Sequence, residues 1–397
     1  MLSVLAITHK GEGTGLLRRI SDEGNIAKVY FTNGRGEDFF KHSGVKVVNN
    51  PPEAAESADV ILYLNTGFGS LTQTLDKPGR LVLGGGRGQE FFVTQIGQDA
   101  IQTLLGNEYE GMGVLAKVIG YFDNGFKDLF FLSFPYLQLF DNEKGEVTPG
   151  VGGITIQINK NSKLVKESLE KLTLLLKTNN YKGFFGLLLV IGETSFAPIG
   201  PIVSLGVSFP FEIFEFFKTP VSDLLFRLAK NEEVPIAYFD HFTGSVGLSV
   251  PPFPHDLNYK YNGVKFLDIK HPAVLKHIFI EDFKSCSTNF LGWVTARGKD
   301  LNETRRRLYR TISNIVCNSE VRFREDIGLR KQNAEDCIFY LSAKGWIDAF
   351  IKREQSENSR EEYTRVSSQL QENREDRQFI SSEHSESEAA GASNSSE

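Results

Sequence analysis

Sulfur is scarce in this chain: three cysteines and two methionines among 397 residues. Cys286, Cys317 and Cys337 stand 31 and 20 positions apart, with no C-x-x-C spacing. That excludes a zinc ribbon and a disulfide framework, and it suits free thiols in a reducing compartment. Long apolar runs are lacking as well. The run at 1–7 meets His9, Lys10 and Glu12 at once, and the run at 184–191 is similarly short. Each is too short for a signal peptide or a bilayer span, so the reading is a cytoplasmic protein with no membrane contact. No excess of positive charge exists either. A net charge of -6 gives no general affinity for nucleic acid, and none is expected as a partner. The histidines His241, His255, His271 and His277 have no metal-ligand spacing and read as isolated polar residues, although Asp240 beside His241 could form an acid–base pair.

What the chain has in quantity is phenylalanine, 32 residues, which implies aromatic-rich cores. Its length allows two or three domains. Residues 1–110 alternate strands and helices: strands at 2–8, 27–32, 45–49, 59–65 and 80–83, with a helix at 16–23. Glycine turns end these strands, the pattern of a parallel, doubly wound sheet. Ligands of such sheets lie beyond the carboxyl ends of the strands, so loops 8–15, 33–37, 65–69 and 84–88 would line a crevice.

The next domain is read as 111–235. Asp123-Asn124-Gly125 between apolar segments at 114–122 and 128–134 signals a hairpin. A polar loop at 141–151, a strand at 154–158, an amphipathic helix at 163–178, strands at 186–191 and 201–207 and a helix at 222–229 follow. A C-terminal domain, 236–351, has strands at 245–250, 278–280 and 291–296. It continues with a helix from Asn302 to about Cys317 and a last helix at 333–351. Residues 352–397 have the composition of a disordered tail, rich in Ser and Glu, which could serve as a binding element for a partner protein.

Two stretches carry a resemblance. Val294-Thr295-Ala296-Arg297-Gly298 has a VTA-x-G pattern. Phe323-Arg324-Glu325-Asp326-Ile327-Gly328-Leu329-Arg330 matches an aromatic-Arg-Lys-Asp-Ile-Gly-x-Arg signature at all but one position. Together they resemble the C-terminal domain of the phosphoribosylamine–glycine ligases, which are ATP-grasp enzymes. Pro149-Gly150-Val151-Gly152-Gly153-Ile154 resembles that family's P-N-T-G-G-M loop, and the stretch from Tyr181 to Leu189 resembles the strand before its metal-binding strand. The resemblance implies an α/β, ATP-grasp-like fold with an N-terminal doubly wound parallel α/β domain and a shortened central ATP-grasp body. An active ligase of this kind would need ATP and magnesium to join a carboxylate to an amine.

Departures from the family pattern point away from that chemistry. Only about ten residues separate 101–105 from the hairpin, where the family inserts a whole lobe of its ATP clamp. Ser204, Gly206 and Ser208 stand where the family's magnesium-holding strand carries Glu, Asn and Arg. Magnesium needs hard oxygen ligands, so no metal site and no catalytic residue is assigned, and no cofactor is expected unless ligase activity is retained. Glu212 and Glu215 follow and could offer a shifted ligand set. In the N-terminal loop, Glu12 replaces the arginine of the family's phosphoribosyl-binding motif, and of that motif only Gly11 is kept. Lys10, Gly13, Thr14, and Gly34 with Arg35 could supply new anion contacts. Arg324 and Arg330 could face a phosphate, or Asp326 could pair with one of them and fix the turn. The favoured reading is a non-catalytic binding, scaffold or regulatory protein with a phosphorylated or sugar-bearing ligand in the N-terminal crevice. The alternative is a working ligase.

Overall fold

A computed structural model describes residues 1–9, 11–32, 44–84, 113–206, 208–255, 266–269, 272–280, 289–317, 321–329 and 334–348. Lys10, Gly34, Arg35, Arg330, the loop at 85–88, the interval up to 112 and the segment 352–397 lie outside the described residues.

The first layer is a five-stranded sheet of β1 (Ser3–Thr8), β2 (Ile26–Phe31), β3 (Lys46–Val47), β4 (Val60–Tyr63) and β5 (Val82–Leu83). All its pairings are parallel, in the order β3-β2-β1-β4-β5. Every residue of β1 is buried, as a central strand covered on both faces requires. Around it lie α1 (Gly15–Asp22), α2 (Pro51–Glu56) and α3 (Ser70–Leu75). Asn50 caps α2 by accepting from the Glu53 amide, with proline at the first helical position.

The second layer is an eight-stranded sheet. It contains β6 (Val114–Asp123), β7 (Phe126–Phe140), β8 (Lys144–Gln157), β9 (Lys182–Ile191), β10 (Phe196–Ile202), β11 (Phe242–Ser249), β13 (Ile278–Ile280) and β14 (Phe290–Gly298). The order is β10-β9-β6-β7-β8-β11-β14-β13, antiparallel throughout. A small separate pair joins β12 (Phe266–Ile269) to β15 (Ile315–Cys317). The described residues also contain the helices α4 (Lys163–Glu167), α5 (Thr173–Thr178), α6 (Val221–Ala229), α7 (Leu301–Ile312) and α8 (Ala334–Ala343).

Several boundaries differ from the sequence reading, each for a physical reason. The 235/236 division runs through one sheet, because β11 pairs with β8 on one side and β14 on the other. Pairing across so much intervening chain leaves no local trace. The polar loop expected at 141–151 is largely strand: β8 starts at Lys144 and forms a long ribbon with β7. The helix at 163–178 breaks into α4, a 3-10 turn at Glu170–Leu172, and α5. The cap of α7 is Asp300, which accepts from the Glu303 amide, and the helix ends at Ile312 because the chain then enters β15. The hairpin at Asn124 is as read, with Asn124 at φ 58.

The phenylalanines gather where a 3-10 turn, Phe211–Phe216, meets the large sheet. Phe211 lies 5.2 Å from Phe279 and Phe214 lies 5.8 Å from it, while Phe131 meets Phe216 at 5.2 Å. Two of the contacts that dock the layers involve α1 and the residue after it. Gly15 backs onto β13 so closely that a Cβ would lie 2.5 Å from the Phe279 carbonyl. Glu23, just after α1, accepts from the Val221 and Ser222 amides at 2.9 Å each and from the Ser222 hydroxyl at 2.7 Å. A carboxylate at this position satisfies donors that α6 itself cannot, and it complements the helix dipole. Glu23→Ala should therefore lower unfolding free energy by about 1–3 kcal/mol in urea melts, and Glu23→Gln by less.

Candidate functional site

The parallel sheet reverses its winding at β1, which has β2 on one side and β4 on the other. Loops leaving the two sides diverge there and open a crevice. Thr8, at the end of β1, donates its hydroxyl to Asn65 Oδ1 at 2.8 Å, and the His9 amide reaches the same oxygen at 3.2 Å. The Gly11 amide donates to Thr8 Oγ1 at 3.2 Å, and the Thr14 hydroxyl to the Gly11 carbonyl at 2.6 Å. His9 spans three strand ends. Its Nε2 lies 2.6 Å from the Thr66 carbonyl and its Nδ1 beside the Thr32 hydroxyl. A carbonyl only accepts, so Nε2 carries a proton, and in the neutral ring Nδ1 accepts from Thr32. The ring also packs 4.5 Å from Phe68.

Gly11, Gly13 and Thr14 come together at this crevice. His9, Asn65, Thr32 and Thr66 were not singled out by the sequence, although loops 8–15 and 65–69 were read as crevice walls. The signal was positional, since any polar residue after a strand of a doubly wound sheet is a candidate. The segment 204–206 closes one side. A Cβ on Gly13 would lie 2.8 Å from the Leu205 carbonyl, and one on Gly206 would lie 2.6 Å from the Leu64 carbonyl. Gly206 is the position where the resemblance expects a magnesium-binding asparagine, and the backbone leaves no room for that side chain. No group of three or more His, Cys, Asp or Glu suited to a metal exists among the described residues. The positions present therefore do not fit magnesium.

A second polar constellation covers one face of the large sheet. Lys117 faces Ser133, Ser133 faces Thr155, Thr155 faces Thr243, and Thr243 faces Arg297 across five strands. Residues two apart share a face, which adds Ser245 and Thr295. The 3-10 turn Phe211–Phe216 lies over them, and its three-residue period stacks Glu212 and Glu215 on one side.

Glu215 is fully compensated. Oε1 accepts from His277 Nδ1 at 2.6 Å and the Thr295 hydroxyl at 2.7 Å, and Oε2 meets Arg297 at 3.2 Å. Burial alone would raise its pKa, but the bonds from His277 and Thr295 and the Arg297 charge hold it below the usual value. The Arg297 guanidinium also stacks 4.0 Å from the Tyr238 ring. His277, read from sequence as isolated, is thus a partner of Glu215.

Glu212 is different. Its Oε1 accepts from Thr155 at 2.8 Å and Ser133 at 3.4 Å. Burial raises its pKa against the bonds from Thr155 and Ser245 and the Lys117 charge. Lys117 donates to the Ser208 carbonyl at 2.8 Å, and burial lowers its pKa to about 8.

Arg324 and Asp326 form a third cluster, on the turn that carries the signature. Arg324 Nε and Nη2 meet Asp326 Oδ1 and Oδ2 at 2.7 Å each. Nη2 also reaches Glu143 at 2.8 Å and Nη1 the Gln138 carbonyl at 3.0 Å, and the guanidinium sits 4.8 Å from the Tyr136 ring. The side chain is 0 % exposed. Asp326 Oδ2 in turn accepts from the Asn142 amide at 2.9 Å. Four donor contacts of Arg324 go to protein atoms, which pins the turn to the β7–β8 ribbon. The structure thus gives these two residues the pairing alternative, not a phosphate-facing one.

No protein-family model and no curated protein matches the sequence. Solved structures do. One is a phosphoribosylamine–glycine ligase from Thermotoga maritima, at TM-score 0.57 and 13 % identity, with 82 % of this chain and 100 % of that chain covered. The fold is ATP-grasp-like. A biotin carboxylase from Campylobacter jejuni superimposes at TM-score 0.52 and 10 % identity, with 85 % of this chain and 96 % of that chain covered. A urea carboxylase from Kluyveromyces lactis gives 0.51 and 10 %, covering 91 % of this chain but 32 % of the larger enzyme. The ATP-grasp-like architecture shared with these ligases is the α/β class expected from the sequence. At such identities the likeness concerns fold and leaves chemistry open.

The buried Arg324–Asp326 pair makes a direct prediction. Asp326→Asn leaves a buried guanidinium undercompensated and should cost about 3–5 kcal/mol in denaturant unfolding. Burial would raise the Asp326 pKa, but Arg324 and the Asn142 amide hold it below the usual carboxylate range. Its stabilisation is therefore present at neutral pH and lost as pH falls through the depressed native value. Acid titrations of stability should show that loss in the parent chain and a flatter limb in Asp326→Asn.

Proposed function

We propose that this ATP-grasp-like chain has given up ATP-dependent ligation and acts as a binding or regulatory protein. Its ligand is a phosphorylated or sugar-bearing small molecule held in the crevice at the carboxyl ends of β1 and β4. The observation that carries the first half is Gly206, where a Cβ would stand 2.6 Å from the Leu64 carbonyl. Phosphoryl transfer depends almost wholly on positioned charge and metal, and a chain that cannot place a ligand side chain there loses that stabilisation. Support for the second half comes from the crevice itself. Thr8, His9 and Asn65 converge where doubly wound sheets bind ligands, and the nearby loop glycines Gly11 (φ 105) and Gly13 (φ 79) bring bare backbone to its wall. The solved ligase from Thermotoga maritima is named for a phosphoribosyl amine and glycine, which makes phosphoribosyl compounds the first ligands to try.

Isothermal calorimetry with ATP and magnesium should give no saturable heat, and micromolar binding would restore the ligase reading. In thermal-shift assays ribose 5-phosphate should raise the midpoint. Asn65→Ala should remove about 1–2 kcal/mol of that binding, roughly tenfold in apparent affinity. A ribose 5-phosphate shift left unchanged by Asn65→Ala would move the ligand out of this crevice.

A further inference from the structure

Glu215 gathers three donors that differ in what they leave free. The Thr295 hydroxyl at 2.7 Å and the Arg297 guanidinium at 3.2 Å supply a hydrogen bond and a positive charge. His277 adds a bond from Nδ1 to Oε1 at 2.6 Å. A carboxylate only accepts, so Nδ1 carries the proton, and in the neutral ring Nε2 keeps its lone pair. The two nitrogens lie on opposite edges of the ring, so Nε2 is turned away from Glu215. Exposure rises outward from the carboxylate: the Glu215 side chain is 5 % exposed, and those of His277 and Arg297 are 20 % and 22 % exposed.

Positive charge gathers beside the imidazole. The Arg297 guanidinium lies 4.0 Å from the centre of the Tyr238 ring, and its Nη2 donates to the Tyr238 hydroxyl at 3.3 Å. Lys218, an exposed residue, holds its Nζ 5.6 Å from the same ring. One aromatic ring thus draws both cations to one place. His277 itself directly precedes β13, and the pairing of Ile278 with Val294 sets it opposite Thr295.

The geometry points to His277 Nε2 as a phosphoryl acceptor, with Glu215 as its positioning residue and Arg297 and Lys218 as the cations that meet the transferred group. The donor is a small acyl phosphate or phosphoramidate, because the P–N bond formed is itself labile and a phosphate monoester is too stable to make it. This site lies on the antiparallel sheet and is independent of the ligand proposed for the crevice.

The step balances without oxidation or reduction. The Nε2 lone pair attacks phosphorus while the bond to the leaving group breaks, and that bond's electron pair departs with a carboxylate or with the ammonia of a protonated phosphoramidate. Nδ1 retains its proton, so the phosphorylated ring is an imidazolium. Glu215 faces the new charge across a hydrogen bond that already exists, which is the way a buried carboxylate favours a charged imidazole. The phosphoryl oxygens gain the two nearby cations.

The test is incubation of the full-length chain with potassium phosphoramidate at neutral pH, followed by peptide mapping in alkali, since phosphohistidine is lost in acid. His277 should be phosphorylated about tenfold faster than His255, whose side chain is 56 % exposed. Phosphorus NMR should place the group on Nε2. Glu215→Gln should slow labelling of His277 by about tenfold and leave His255 unchanged. The same variant should lower the pH at which the phosphorus resonance of phosphorylated His277 titrates, a change that a purely structural carboxylate would not cause. Uptake at His277 no faster than at His255, attachment to Nδ1, or an unshifted titration would overturn the proposal. So would equal His277 rates in the parent and Glu215→Gln. If that variant does not fold, the comparison of His277 with His255 in the parent chain decides the matter.

Discussion

A row of hydroxyl and charged side chains runs across the middle of the eight-stranded sheet, on the face that the 3-10 turn Phe211–Phe216 covers. Covering such a row with purely apolar side chains would strand several polar groups without water. The turn answers this with two carboxylates set three residues apart, flanked by phenylalanines that fill the space between. Glu215 takes up His277, Thr295 and Arg297, and Glu212 takes up Thr155 and Ser133. The position of the turn is thereby fixed in two directions, by ion pairing along the strands and by aromatic contact above them. Nearby, residues 205 and 206 reach the N-terminal layer and Ser208 reaches Lys117.

This segment stands where the resemblance expects a metal-holding strand, and its surroundings are specific. The residues at 204–206 are pressed against the Leu64 carbonyl and the Gly13 loop, and Ser208 gives its carbonyl to Lys117. In a fold that holds magnesium through a projecting carboxylate and amide, the same stretch would need side chains where this chain has backbone contact. Close approach of the two layers has taken over the space. Gly15 against Phe279 and Glu23 at the start of α6 hold the layers at that distance.

Legibility in the sequence varied with the range of the interaction. Five parallel strands could be read because short apolar runs alternate with turn residues, glycines after most strands and Asn-Asn-Pro after the third. The hairpin at Asn124 was equally local. The helix at 163–178 was misjudged because amphipathic spacing does not register a 3-10 interruption, and the 141–151 segment because a polar ribbon looks like a loop. Glu212 and Glu215 were visible only as a shifted ligand set. Their actual partners come from β7, β8, β14 and the 3-10 turn Pro272–His277, and none of these is near them in the chain.

By itself the sequence determined the α/β class and the doubly wound N-terminal layer, because these rest on local periodicity and short-range turns. It also showed that carboxylate and amide are absent at positions 204 and 206. The tertiary structure decided the rest. It spent Arg324 on Asp326 and Glu143, made His277 a partner of Glu215, and joined β11 and β14 to the central sheet. Those outcomes follow from which strands become neighbours, and pairing between distant strands is set by the packing of the whole chain.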